Sequence, residues 1–343
     1  MPSLNIKSIK YKAMIGTGGI GSGTSFLVNG NHTLGREESR SGRFLERKDY
    51  CKLHIIAHYV QTLLGSDFET IPIGKVGDDD LGKNLYDEMK EAGMNMRHVM
   101  VSPGDRTLLC ICFIYPDGSG GNLTPDDSAC SRVDIPFILE AEDEYKRYEH
   151  CGIALAVPEV PLESRAKLLE LGTQYYFFRA ASFTSEEMNS AISMGMLQNV
   201  DLLALNLDEA AAAACIPAGK NPQEIVDKAV QTLSQINPHM FISITAGKEG
   251  NWSWDGTLLR HVPALKTEVK STAGAGDCHF SGIIVGLTAG LTLQEAQDLG
   301  TLAAALSVTS PHTISKDINR ETLKQFAEKV NANLCDNVWK LLQ

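Results

Sequence analysis

The stretch Ser271-Thr272-Ala273-Gly274-Ala275-Gly276-Asp277 runs straight into Cys278-His279-Phe280-Ser281-Gly282 and the apolar Ile283-Ile284-Val285-Gly286-Leu287. Its small residues and glycines spell a turn, and the apolar run behind them reads as a buried helix. A helix opened by such a turn leaves backbone N–H groups without partners at the positive end of its dipole. That end is a ready anion site. Asp277 falls in the first helical turn, beside the anion. Spacing alone leaves its carboxylate two readings: capping the helix, or accepting a proton from a bound hydroxyl.

Outward from this stretch, strand and helix patterns alternate for most of the chain. This argues for an α/β fold with a central, mostly parallel sheet flanked by helices. Tyr11–Ile15 reads as a first strand entering a glycine-rich turn. Asp49 reads as the N-cap of a helix carrying Ile55, Ile56, Tyr59, Val60, Leu63 and Leu64, with Gly65 ending it. Thr70–Val76 is a strand pattern, followed by a helix over Leu81–Ala92 that Gly93 closes. Further units begin near Ile153, Tyr175, Leu202 and Phe241, and helical patterns at Leu293–Thr309 and Arg320–Val330 close the chain. Thr24–Val28 and Thr107–Tyr115 break the rhythm. They are expected to pair in an antiparallel sheet apart from the main one, the second ending at the turn Pro116-Asp117-Gly118. The expected organisation is one domain over residues 1–343, with a small inserted β-sheet lid from about 17–48 and 103–133.

The chain has 343 residues, 43% hydrophobic and 21% charged, which sets aside disorder, collagen and coiled coil. Forty-two acidic against 31 basic residues give a net charge of −11, against a nucleic-acid partner. No run is long and apolar enough to span a membrane, and MPSLNIKSIKYK does not read as a secretory signal. A cytoplasmic protein is the expectation. The eight cysteines show no CxxC spacing and are expected to be reduced. His54 and His58 have a metal-like spacing but no third ligand in view, so one helix face accounts for them.

Four motifs, in order, resemble those of the ribokinase-like, PfkB-type carbohydrate kinases. They are Gly74-Lys75-Val76-Gly77-Asp78-Asp79-Asp80-Leu81-Gly82, Asn206-Leu207-Asp208-Glu209, Thr245-Ala246-Gly247-Lys248-Glu249-Gly250, and the stretch ending at Asp277. The resemblance covers residues from about 65 to 310. It implies ATP-dependent transfer of the γ-phosphoryl group to a hydroxyl of a sugar or sugar derivative. Asp277 would be the base, and the backbone N–H groups of Gly274, Ala275 and Gly276 would hold the transferring phosphoryl group. Asn206 and Glu209 would organise Mg²⁺ and the phosphates, through water. Read alone, they are also a strand-end turn and a helix-start carboxylate. Thr245, Gly247 and Gly250 would line the nucleotide's path. Ala304 and Ser307 are candidates beside the base, or helix-packing positions.

The sequence departs from the family where a sugar would bind. Ser271 replaces the family's usual first Asp, which puts activation by a monovalent cation in doubt. Counting back from Gly65 puts Cys51, Lys52 and Ile56 where a Gly-Gly pair and an Asn are usual. The early Asp that often grips sugar hydroxyls gives way to Gly18-Gly19-Ile20-Gly21-Ser22-Gly23. In that gap lie Arg36, Arg40, Arg43, Arg47, Lys48 and Lys52, against Glu37, Glu38, Glu46 and Asp49. This local positive charge fits an acidic or phosphorylated sugar, or a solvated lid with ordinary ion pairs. Candidate substrate residues are Lys52, Arg36 and Arg179, the last expected at a strand's C-terminal end, where ligands bind in open α/β sheets.

Gly16-Thr17-Gly18-Gly19-Ile20-Gly21 also fits a dinucleotide fingerprint. That fingerprint needs a helix to open at the glycines, and no helical period follows. A nucleoside kinase of the same family and a catalytically silent nucleotide- or metabolite-binding sensor are the remaining alternatives. In several members of this family such lids pair across a dimer. The apolar alternation of Leu109, Ile111, Phe113 and Tyr115 suits a homodimer through the lid, and equally packing onto the domain.

Overall fold

A computed structural model describes residues 2–117, 120–219 and 221–343. Gly118, in the turn expected after the second lid strand, lies outside them. The strands are β1 (Ala13–Thr17), β2 (Gly21–Val28), β3 (Gly42–Phe44), β4 (Asp49–Tyr50), β5 (Glu69–Gly77), β6 (His98–Ser102) and β7 (Leu108–Ile114). They continue as β8 (Gly120–Leu123), β9 (Gly152–Ala156), β10 (Phe178–Ala181), β11 (Leu202–Asn206), β12 (Phe241–Thr245), β13 (Asn251–Trp254) and β14 (Leu259–Val262). The helices are α1 (Lys52–Leu64), α2 (Asp80–Glu91), α3 (Ile135–Leu139), α4 (Glu142–Arg147), α5 (Leu162–Gln174) and α6 (Met188–Ser193). They continue as α7 (Leu207–Ala213), α8 (Pro222–Ile236), α9 (Ala275–Thr288), α10 (Leu293–Ser307), α11 (Arg320–Lys329) and α12 (Asp336–Leu342).

The main sheet runs β14-β13-β12-β11-β10-β9-β1-β5-β6. Every pairing from β6 across to β12 is parallel, and β13 and β14 extend it as an antiparallel hairpin. Strand alternation divides the core into two layers. Ala13 and Ile15 of β1 face the layer holding α5, α7 and α8, while Met14 faces the layer holding α1, α9 and α10. Helices α9 and α10 approach closely because their contact is built from glycine: a Cβ on Gly282 would lie 2.5 Å from the Gly300 Cα. That contact fixes the height of α9, and so of Asp277 at its head.

The small sheet has the order β3-β2-β7-β8, with β4 also paired to β2. Its central pair corrects the sequence expectation. Strands β2 and β7 are parallel over seven residue pairs, and the antiparallel pairings are β2 with β3, β2 with β4 and β7 with β8. Both central strands enter the lid from the same end of the main sheet, β2 from β1 and β7 from β6, so they run in the same direction. Asp49 is likewise not the cap of α1. It lies in β4, and the N-cap is Cys51, which offers no side-chain hydrogen bond.

Candidate active site

Gly274 is the N-cap of α9, with φ of 77° in the left-handed region. A Cβ there would also lie 2.8 Å from the Thr313 carbonyl oxygen. Glycine supplies no capping oxygen, and the N–H groups of Gly274, Gly276 and Asp277 meet no backbone acceptor. Ala275 differs from the expected donor set, because its N–H donates to the Thr272 carbonyl at 3.2 Å. The donors left open are therefore those of Gly274, Gly276 and Asp277.

Asp277 and Lys52 meet at this helix head. Lys52 Nζ lies 3.8 Å from Asp277 Oδ1 and 3.7 Å from Glu209 Oε1, one ammonium bridging two carboxylates. Lys52 comes from the first residue of α1, so two helix N-termini converge on the same spot. Burial raises the Asp277 and Glu209 carboxyls above their ordinary values, and Lys52 pulls them part of the way back. For Lys52, burial disfavours the charge, but the Asp277 and Glu209 carboxylates outweigh it and hold the ammonium above its usual value.

Asn206 and Glu209 form a capping box on α7. The Asn206 side chain accepts from the Glu209 N–H at 2.9 Å, and Glu209 Oε2 accepts from the Asn206 N–H at 2.8 Å. The two readings of this motif thus coexist in one side chain: Oε2 caps the helix while Oε1 faces Lys52.

A cleft of about 700 Å³ opens from this point between the C-terminal ends of β11 and β12 and the heads of α9 and α10's last turns. Its walls include Lys52, Asn206, Glu209, Thr245, Gly247, Gly250, Gly276, Asp277 and Ala304. Gly247, at φ 55°, has no atom within 4 Å of its would-be Cβ and leaves the wall open there. Ser307 stays out of the cleft. Its side chain is buried and donates to the Ala304 carbonyl at 2.8 Å.

The two candidate arginines stand elsewhere. Arg36 is exposed on the lid loop between β2 and β3. Arg179 corrects the expectation: β10 begins at Phe178, so this residue lies at the strand's opening end. Its neighbour Ala180 pairs with Leu202, which puts Arg179 about 16 Å along the strand direction from Asn206. There it holds Asp201 with Nε–Oδ2 at 2.8 Å and Nη2–Oδ1 at 2.6 Å, a structural pair between strands. Of the basic stretch, Arg40 pairs with Glu38 and Lys48 with Glu88. Arg47 is half-buried and donates to Ser25 Oγ at 2.5 Å.

The motif beginning at Gly74 proves to be a lid anchor. Asp79 accepts from the N–H and Oγ1 of Thr107, at 2.8 and 2.6 Å, while capping α2 through the Gly82 N–H. It thereby ties the start of β7 to the main domain. The sequence reading passes over Glu159, just beyond the C-terminal end of β9. It adopts φ 80°, its Oε2 is buried without a partner, and burial raises its carboxyl to about 7. The available signal was its place at a strand's ligand-binding edge.

A nine-stranded α/β sheet with a lid, and a buried carboxylate at an open helix head, define a phosphotransferase of the ribokinase-like fold. The family model described as pfkB family carbohydrate kinase matches residues 56–320. Fructoselysine 6-kinase of Shigella flexneri is 34% identical over 237 residues, covering 68% of this chain and 80% of the relative. The 2-dehydro-3-deoxygluconokinase of Bacillus subtilis is 24% identical over 302 residues, 81% of this chain and 90% of its own. The structure of ribokinase from Cryptococcus neoformans in complex with ADP superposes with a TM-score of 0.75 at 19% identity, covering 92% and 99% of the two chains. The chain belongs to the pfkB family of carbohydrate kinases. Among the described residues no helix is long and apolar enough to cross a membrane.

Proposed function

We propose that this kinase transfers the γ-phosphoryl group of Mg²⁺-bound ATP to a hydroxyl of a sugar derivative that carries an anionic group. The observation that supports the reaction is the buried Asp277, held 3.8 Å from Lys52 at the open head of α9. The acceptor hydroxyl lies against Asp277, which takes its proton as the oxygen attacks phosphorus. The free N–H groups of the helix head and the Lys52 ammonium face the charge that spreads over the transferring oxygens. Lys52 works against the rise that burial imposes on the Asp277 carboxyl. Mg²⁺ supplies charge neutralisation across the phosphates when bound. Glu209 Oε1 and Asn206 fit it through water, since Mg²⁺ takes few protein ligands and keeps much of its hydration.

Arg47 supports the anionic acceptor, because it alone of the basic stretch is half-buried without a carboxylate partner. The names of the relatives agree in kind, since a 2-dehydro-3-deoxygluconate and a fructoselysine both carry a carboxylate. Ser271 stands in place of an acidic residue, so the activity assay is run with and without K⁺ to read the cation requirement.

The outer face of the lid carries Phe44, Leu109, Ile111 and Leu123, all exposed and all brought to one face by the strand register. A second copy of the chain packs there, giving a homodimer. Ile111→Glu then yields monomers by sedimentation, and a wild-type monomer at micromolar concentration refutes the pairing. The setting is the cytoplasm, where ATP is available and the eight cysteines, all unpaired, stay reduced.

The deciding experiment is ADP release with Mg²⁺-ATP against neutral sugars, sugar acids, sugar phosphates and nucleosides. Asp277→Asn lowers kcat on the accepted compound by about 10²–10⁴-fold. A nucleoside as the sole acceptor overturns the sugar reading. ATP binding with no turnover on any acceptor favours the sensor.

A further inference from the structure

The glycine run at the start of the lid, which resembles no part of a nucleotide site here, has a different use. Gly21 and Gly23 alternate in β2 and so share one face of it, and Gly19 stands two residues before the strand. Each missing side chain leaves room for a polar side chain from elsewhere, which at Gly21 lies beside Leu108. A Cβ on Gly19 would lie 2.3 Å from Glu159 Oε2, one on Gly21 2.9 Å from Cys51 Sγ, and one on Gly23 2.6 Å from Asp49 Oδ2. The glycines form a trough that lets side chains from the two flanks of β2 meet over it.

Two of those groups, from Cys51 and Glu159, converge with a third from the lid. Cys51 Sγ, Cys110 Sγ and a carboxylate oxygen of Glu159 all lie within 4.8 Å of one another. Both cysteines are buried, and Glu159 Oε2 is buried with no hydrogen-bond partner. None of the three lines the nucleotide cleft. They come from three parts of the fold: Cys51 from the head of α1, Cys110 from the lid strand β7, and Glu159 from the loop after β9.

A disulfide does not suit this pair. Cys51 bonds Gly21 from one side of β2, and Cys110 stands opposite Gly23 on the other. An intervening strand sets their Cα atoms roughly two strand spacings apart, about 9.5 Å. A disulfide needs less than about 7 Å. A metal ion suits it well. Tetrahedral zinc, with sulfur at about 2.3 Å and oxygen at about 2.1 Å, puts neighbouring ligand atoms about 3.5–3.8 Å apart. The three groups reach that spacing with small side-chain movements.

We propose that Cys51, Cys110 and Glu159 form a binding site for one thiophilic divalent cation of the zinc class, bridging the lid to the main domain. The cation binds the two sulfurs as thiolates and the carboxylate, with a fourth position left to water or another ligand. Binding releases the thiol protons to solvent. Because Cys110 belongs to the lid and Glu159 to the main domain, an occupied site clamps the lid down. Glu159 feels the charges of Lys52 and Asp277, so the site borders the catalytic centre, and metal binding is therefore read without ATP or acceptor, apart from turnover.

Titration of the reduced full chain with Co²⁺ tests it, using the sulfur-to-cobalt charge-transfer absorption, with Zn²⁺ and Mg²⁺ as competitors. One equivalent of Co²⁺ develops the band, Zn²⁺ abolishes it and Mg²⁺ leaves it. Cys110→Ser removes the band or weakens affinity at least about 10-fold, and Glu159→Gln weakens affinity while keeping the band. Cys215→Ser, at an exposed thiol, changes neither. Zn²⁺ also raises the melting temperature of the wild type and not that of Cys110→Ser, whose metal-free melt checks its folding. No band at one equivalent, a band unchanged in Cys110→Ser, or a band lost in Cys215→Ser overturns the site.

Discussion

Gly274→Ala separates a backbone requirement from a chemical one. The residue sits at φ 77°, where a Cβ costs about 1–2 kcal/mol. The new methyl would also lie 2.8 Å from the Thr313 carbonyl oxygen and 2.9 Å from the Thr313 Cβ. Both belong to a segment pinned by Tyr50 N–H on Thr313 Oγ1 and by Tyr59, so it yields little. Overpacking of this kind adds about 1–3 kcal/mol. The sum is about 2–5 kcal/mol. For a chain of this length each kcal/mol is worth a little over 1 °C, so the melting temperature falls by about 3–7 °C. Relief of the clash moves the head of α9, and a displacement near 1 Å costs about 10²-fold in kcat. Gly276→Ala is the comparison. Its Cβ meets nothing closer than Thr245 Oγ1 at 3.6 Å, and it lies inside the helix. That variant keeps its melting temperature and loses activity by filling the anion position. Thermal melts and ADP release on both variants decide the matter. A Gly274→Ala protein that melts with the wild type refutes the reasoning.

Three further outcomes follow from charge and burial. Lys52→Met removes the cation that lowers the Asp277 and Glu209 carboxyls, so both move further up. On the proposed mechanism, in which ionised Asp277 takes the proton, the acid limb of kcat/KM shifts to higher pH. An unmoved limb shows that Lys52 does not hold the base. Buried neutral histidines make the fold acid-sensitive: burial lowers His54 to about 3 and His58 and His279 to about 4. Below about pH 6.5 the unfolded chain binds protons that the folded chain refuses, so stability falls as pH drops towards 4. The slope reaches about 1.4 kcal/mol per histidine per pH unit, and His279→Gln reduces it by about a third in denaturant melts at pH 5 and 7. Arg47→Met raises KM for an anionic acceptor at least about 10-fold with kcat little changed, and leaves KM for a neutral analogue alone, as steady-state kinetics will read.

The main sheet and the turns at the head of the cleft were legible because their signals are local. A turn chemistry such as Gly274-Ala275-Gly276 and the capping box Asn206–Glu209 need only a few neighbouring residues. The lid was not legible in the same way. Strands β2 and β7 are some 80 residues apart, and their shared direction depends on which end of the main sheet each leaves from. Arg179 turned on a shift of three residues. The chain at Tyr175 still caps α5, and Tyr176 at φ 57° delays the strand to Phe178, which moves the arginine to the sheet's far end. Glu159 carries no motif. Its importance comes from a glycine 140 residues earlier whose absent side chain makes room for it.

The chain crosses between the main domain and the small sheet four times, after β1, before α1, before β7 and after β8. The lid therefore has no independent existence as a segment. An exchange of lids between two such kinases must swap residues from about 18–51 and 103–130 together, because either piece alone supplies only one of the two central strands. Natural recombination meets the same obstacle, so the small sheet of this architecture changes more readily by point substitutions along β2 and β7 than by shuffling of blocks.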